Sequence, residues 1–217
     1  MEQENKNPSK KVASLIGLKP EYEEQYIILH KNTFPGVLER IRKSNIKNYT
    51  IFLLDGILFS YYEYFGVDYK NDMEEIADAT TKDWWKLTDP MQQPLSTRKN
   101  GEWWAEIELL SELFFNNVTQ KVQRKALRLE YLVEKNEELK NYFSSIDLKL
   151  FFNSSENICN KFQFYKKDNY IYSYLEFENY NESINNLFKN IISDLRQTNI
   201  IGQTDNWKEM REVFHTD

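Results

Sequence analysis

Gly56-Ile57-Leu58-Phe59-Ser60-Tyr61-Tyr62-Glu63-Tyr64 is written a second time as Asn169-Tyr170-Ile171-Tyr172-Ser173-Tyr174-Leu175-Glu176-Phe177, 113 positions on (169 − 56). Each copy is an aromatic-rich run with a turn signal before it. Asp55-Gly56 separates residues 49–54 from 57–65, and Lys167-Asp168-Asn169 separates 158–165 from 170–177. Asp-Gly between two such runs predicts a tight hairpin, and the second copy predicts another.

Working outward from the hairpins, each half has the order β-α-β-β-α-β. In the first half, residues 12–18 alternate as a strand and end at Lys19-Pro20, where proline suits a first helical turn. Residues 21–44 carry apolar side chains at helical spacing. Pro35 lacks an amide donor, which predicts a break near Thr33-Phe34. A helix over residues 71–87 and a closing strand over 106–115 complete the half. The second half reads as a strand over 125–133, a helix over 134–145, the hairpin, a helix over 181–195 and a strand over 207–214. A second echo lays Ser111-Glu112-Leu113-Phe114 over Arg211-Glu212-Val213-Phe214 at the shorter offset of 100 (211 − 111). The second copy has then lost a surface stretch, most simply the loop from Pro94 to Asn100.

A β-α-β-β-α-β unit folds as a four-stranded antiparallel sheet with helices on one face, the ferredoxin-like arrangement. Its other face is apolar and needs cover. The expected class is therefore α+β, with two ferredoxin-like repeats packed sheet to sheet as an intrachain dimeric α/β barrel. The expected division is a polar tail over residues 1–9, a first repeat over 10–117 and a second over 118–217.

Composition narrows the function classes. A hydrophobic content of 41% and an aromatic content of 15% support packed cores rather than disorder. Acidic and basic residues are interspersed at a net charge of −6, without the basic stripe that nucleic acid requires. A single cysteine, Cys159, forms no intramolecular disulfide and reads as an inert buried thiol in a reducing compartment. No secretory signal or membrane-length apolar run is present. The expectation is a cytoplasmic protein.

Only two histidines occur, and one of them, His30, follows Tyr26 by four residues. Both then project from one side of a helix, about 6 Å apart along its axis. An imidazole that titrates near neutrality suits general acid–base chemistry. Trp84-Trp85 ends the second helix. Adjacent helical positions point about 100° apart, so one indole is expected to face a pocket or interface, where it suits the apolar face of a sugar. The second half lacks these groups. Tyr142 matches Tyr26, but Ile146 stands for His30, Lys161 for Tyr49, and Leu195-Arg196 for the tryptophans. One site per chain follows, with the second half a degenerate scaffold. Asp89, before Pro90, serves either as a complementary base or simply as a turn former. His215 reads as structural or interfacial.

Tyr26-x-x-x-His30 with Phe34-Pro35 shortly after, Asn48-Tyr49 leading into a strand, and Asp83-Trp84-Trp85 together resemble the L-rhamnose mutarotase family. Met210-x-Glu212-Val213-Phe214-His215 looks like that family's closing strand, although it falls in the second half. The resemblance implies dimers of ferredoxin-like units and interconversion of α and β anomers of a 6-deoxy-hexose such as L-rhamnose or L-fucose. It implies His30 as proton donor, and Tyr26, Tyr49, Trp84 and Trp85 as sugar contacts. The partner is then a monosaccharide, with no cofactor or metal and with neither nucleic acid nor membrane. The competing readings are a non-catalytic sugar-binding or scaffold protein and a haem or quinol monooxygenase on the same fold. A pseudo-dimer within one chain leaves room for a further homodimer.

Overall fold

The computed structural model describes residues 8–114, 122–151, 159–178, 180 and 182–217. It comprises two compact units. The first holds the chain up to Glu106 together with Arg211–Asp217, and the second holds Ile107–Met210. Phe115, Asn181 and the side chain of Cys159 lie outside the described residues. Among those described, no helix is long and apolar enough to cross a membrane.

The first unit contains strands β1 (Lys10–Leu18), β2 (Ile46–Leu54), β3 (Ile57–Tyr64), β4 (Gln92–Gln93) and β5 (Ala105–Glu106). Its helices are α1 (Glu23–Lys31), α2 (Pro35–Lys43), α3 (Tyr69–Glu75) and α4 (Ala79–Thr88). The second unit has strands β6 (Glu108–Phe114), β7 (Gln123–Glu130), β8 (Cys159–Lys167) and β9 (Tyr170–Phe177), with helices α5 (Asn136–Ser145) and α6 (Glu182–Gln197). The last strand, β10 (Lys208–Thr216), passes from the second unit into the first.

Local chemistry sets most of these boundaries. Asp55 and Gly56 sit at φ 49° and 70°, the left-handed pair that a tight hairpin demands. Asp168 has φ 53° in the second hairpin. Pro35 is the first residue of α2, where its missing N–H costs nothing. The single helix expected over residues 71–87 is instead two, α3 and α4. Asp78 leaves the helical region, and its carboxylate accepts from the Thr81 amide at 2.8 Å to cap α4.

Within the first unit the strand order is β4-β1-β3-β2-β10, with β5 also paired to β1. Gln92 and Gln93 pair with Leu18 and Gly17, then Ala105 and Glu106 with Leu15 and Ser14, along the same edge of β1. The closing strand of the ferredoxin-like half is thus interrupted by a loop, residues 94–104. In the second unit the order is β10-β7-β9-β8-β6, with Lys208–Met210 on the outer edge of β7.

The closing strands depart from the expected division near residue 117. Beyond Glu106 the chain joins the second unit, where β6 pairs with β8. Beyond Met210 it joins the first unit, where Arg211–Thr216 pair with β2 from Leu53 to Tyr49. In a β4-β1-β3-β2 sheet, β2 is an edge whose N–H and C=O groups face outward unpaired, and an added strand satisfies them. Apolar alternation within a strand says which face is buried, not which edge the strand will join.

The core of the first unit lies between helices and sheet, built on Ile16, Leu58 and Tyr26, which are fully buried, with Leu53, Ile27 and Met91 around them. The second unit's core is larger and rich in phenylalanine, with Phe162, Phe164 and Phe188 in mutual ring contact and Phe143 against Phe164.

If β10 closes the β2 edge, a chain ending at Asn206 leaves that edge open. Hydrogen exchange followed by mass spectrometry is expected to show protection lost across Thr50–Leu53 and kept along β1 and β3. Unchanged protection in β2 would contradict the pairing.

Candidate active site

The first unit encloses a cavity of about 580 Å³ between its sheet and helices. Its floor is one cross-strand row. Glu106 on β5 pairs with Ser14 on β1, Ser14 with Ser60 on β3, Ser60 with Ile51 on β2, and Ile51 with Phe214 on β10. All five residues line the cavity. The two serine hydroxyls bond each other at 2.8 Å across β1 and β3.

Tyr26, His30, Tyr49, Trp84 and Trp85, all singled out from sequence, line this one cavity. Tyr26 and His30 sit one turn apart on α1, and their rings stack at 3.9 Å with 26° between planes. Trp84 and Phe214 approach the imidazole edge-on at 5.2 and 5.7 Å. The imidazole therefore stands in an aromatic box. Burial there pulls its pKa down to about 4, against a smaller opposing effect of its bond to the Tyr26 backbone. That bond joins Nδ1 to the Tyr26 carbonyl at 2.9 Å. A carbonyl only accepts, so Nδ1 carries the proton and the neutral ring presents Nε2 as an acceptor. Nε2 has no partner among the described residues.

Tyr49 enters the cavity through an irregularity in β2. Lys47 pairs with Glu63 and Thr50 with Tyr61, so Asn48 and Tyr49 together oppose Tyr62. Asn48 adopts φ 53°, a left-handed conformation that asparagine tolerates better than other branched residues. Such a bulge re-aims the next side chain, and the Tyr49 ring meets Tyr62 and Phe214 edge-on, each at 5.5 Å. Burial pushes the Tyr49 phenol up to about 12. Tyr26 is raised well above the usual phenol range, first by burial and then by the nearby Tyr49. Both hydroxyls stay protonated at neutral pH.

The interrupting loop supplies residues that sequence reading passed over. Glu102, Trp103 and Trp104 line the cavity beside Gln92. The Trp103 indole N–H donates to Gln92 Oε1 at 2.7 Å, which orients the amide so that its NH₂ faces the Tyr26 hydroxyl at 3.5 Å. Two aromatic residues at the end of a polar loop were the available signal. The tryptophan doublet divides as helical geometry requires. Trp84 is buried against His30 and Phe34, while Trp85 is half-exposed and continues the wall to a shallow outer hollow shared with Trp103, Asp89 and Lys82. Asp89 forms the first residue of a 3-10 turn and also lines the cavity, with its carboxyl raised by burial. His215 lies elsewhere, on β10, with Nδ1 at 2.9 Å from Thr50 Oγ1 and Nε2 at 3.1 Å from Asp217.

The second unit sets buried apolar residues at the equivalent positions. Register places Leu127 for Ser14, Phe164 for Ile51 and Leu175 for Tyr62. It also corrects one correspondence. Lys161 pairs with Glu176 as Lys47 pairs with Glu63, so Lys161 matches Lys47, and Phe162 occupies the place of Tyr49. Tyr142 is tied to Asp194 by a 3.0 Å bond.

Residues 11–114 match the profile of the family described as L-rhamnose mutarotase. That segment belongs to the L-rhamnose mutarotase family. A UPF0734 protein of Dictyostelium discoideum is 35% identical over 96 residues, which are 42% of this chain and 77% of that protein. Among solved structures, a protein of Fusobacterium nucleatum provisionally named a monooxygenase aligns at a TM-score of 0.55 with 14% identity, over 95% of this chain and 93% of that one. A similarly named protein of Lactobacillus acidophilus aligns at 0.55 with 8% identity, over 96% of both chains. These two likenesses show the ferredoxin-like fold alone. Membership of the mutarotase family carries with it a small-sugar substrate and isomerase-type chemistry.

The depressed pKa of His30 has a consequence for folding. An imidazole that folds neutral contributes fully above its unfolded value of 6.5 and loses that contribution as pH falls toward 4. Urea midpoints measured from pH 7 to pH 4 are expected to fall more steeply for the wild type than for His30→Phe. Parallel slopes would show that His30 titrates normally in the folded protein.

Proposed function

We propose that the chain is a sugar mutarotase interconverting the α and β anomers of a 6-deoxy-hexose of the L-rhamnose or L-fucose type, with His30 as its acid–base group. The observation that carries this reading is the Nδ1–H bond from His30 to the Tyr26 carbonyl, which leaves Nε2 an acceptor without a partner among the described residues, in a cavity walled by indoles. Because the imidazole is neutral well below pH 7, His30 begins as a base. The resemblance alone suggested a donor; in this mechanism the same group does both in turn.

Nε2 takes the proton of the anomeric hydroxyl as the bond from C1 to the ring oxygen breaks. The ring oxygen receives a proton from a phenol. Tyr49 is assigned that role because its hydroxyl has no partner among the described residues, whereas that of Tyr26 accepts from Gln92. The open aldehyde turns about its C1–C2 bond and presents its other face. Tyr49 then recovers its proton, the ring oxygen re-adds to C1, and imidazolium returns its proton to the anomeric oxygen. No atom or electron is gained or lost over the cycle. Trp84 and Trp85 support the pyranose face, Gln92 and Tyr26 fix hydroxyls, and the second half serves as a scaffold without a site.

Exchange NMR between α and β anomeric protons of L-rhamnose and L-fucose tests this. The protein is expected to accelerate exchange for at least one sugar, and His30→Ala to lower that rate roughly 10²–10⁴-fold. An unaffected rate in His30→Ala would refute the assignment. A base with a pKa of about 4 predicts an enzyme-dependent rate that is flat from pH 5 to 8 and falls on acidification through pH 4. A rate that instead rises on acidification would make His30 the initiating acid.

A further inference from the structure

The cavity is longer than a monosaccharide. Along β1 it runs from the level of Val12, paired with Tyr62, to that of Leu18, paired with Gln92. That distance is about 20 Å at the rise of a β-strand. At the ~30 Å³ that liquid water gives each non-hydrogen atom, its volume holds nearly twice the about eleven such atoms of a 6-deoxy-hexose.

Its two ends differ in chemistry. Gln92, Asp89 and Trp103 belong to one end, and Tyr49, opposite Tyr62, marks the passage to the other. The other end is an annex lined by Val12, Val37, Ile41, Ile46, Met73 and Ile76. Met73 and Ile76 are only half-buried against the core, and both line the cavity. The polar groups toward that end are the Tyr62 and Tyr69 hydroxyls, which bond each other at 2.6 Å, the Tyr49 hydroxyl beside Tyr62, and the Glu106 carboxylate on the β5 side. A sugar hydroxyl placed among the six apolar side chains, out of reach of those groups, would find no partner, at a cost of about ten- to a hundred-fold in affinity. Each methylene buried there would instead gain about four-fold.

We propose that the annex receives an apolar substituent on the sugar, so that the substrate class is a 6-deoxy-hexose carrying one O-alkyl or O-acyl group, with its anomeric hydroxyl free. The catalytic part of this statement rests on the mutarotase reading of the His30 end; the binding part does not. Capping a hydroxyl removes the donor that the annex cannot satisfy and adds the surface that it can bury.

The test uses the full chain with L-rhamnose and its monomethyl and monoacetyl derivatives, each free at the anomeric carbon. Exchange NMR gives kcat/KM, and quenching of tryptophan fluorescence gives binding. At least one derivative is expected to exceed L-rhamnose about ten-fold in affinity and in kcat/KM. Met73→Gln, which keeps side-chain length but places an amide in the annex, is expected to erase most of that advantage. Ile76→Asn provides the same comparison if Met73→Gln does not fold. Derivatives that all bind more weakly than L-rhamnose, or not at all, would overturn the annex while leaving the mutarotase reading intact. Tighter binding of a derivative without accelerated exchange of any sugar would sustain the annex and overturn the mutarotase reading instead. An advantage that survives both substitutions would also overturn the annex.

Discussion

The edge of β2 is the constraint on which the site depends. A ferredoxin-like sheet leaves that edge with unpaired backbone groups, and in this chain the last strand closes it. The pairing is more than a structural patch. Its register sets Phe214 opposite Ile51 and so brings the ring against both His30 and Tyr49. A residue at the far end of the sequence thereby completes the aromatic box of a histidine near its beginning. The Asn48 irregularity in the same strand turns Tyr49 toward that box. One strand thus organises two walls of the cavity, through its edge and through its bulge.

The box also determines the charge state of the histidine. Three aromatic rings remove water from the imidazole and supply no anion to hold it protonated, so the neutral form wins. The Tyr26 carbonyl then selects between the two neutral tautomers. Burial acts oppositely on the phenols, keeping Tyr26 and Tyr49 protonated. A neutral base and neutral acids in one apolar cavity suit a reaction that shuttles protons without net change in charge. They also avoid an uncompensated ion in a place where it would be costly.

The second half shows how few substitutions separate such a cavity from a core. Where the first unit sets Ser14, Ile51, Tyr49 and Tyr62, the second has Leu127, Phe164, Phe162 and Leu175. The backbone frame persists while apolar side chains take these positions, larger at Leu127 and Phe164 and lacking the hydroxyl at Phe162 and Leu175. That this half has no counterpart of His30 or of the Trp84-Trp85 doublet was legible in the sequence. The replacement of Tyr49 by Phe162 was legible too, at the offset of 113 (162 − 49) that relates the hairpins; matching Lys161 to Tyr49 slips that offset by one residue, and β2 and β8 hide the slip by placing their irregularities at different points.

The sequence by itself determined the repeated β-α-β-β-α-β order, both hairpins, the break before Pro35 and the five residues Tyr26, His30, Tyr49, Trp84 and Trp85 that meet in the cavity. These follow from short-range rules: turn residues that permit a left-handed backbone, helical spacing, and a proline without a donor. Only the tertiary structure decided which edge each closing strand joins, that Phe214, Gln92 and Trp103 belong to the site, and which nitrogen of His30 is free. Those depend on pairings between residues far apart in the chain and on how completely water is excluded from one ring. Neither is encoded in any local pattern of residues.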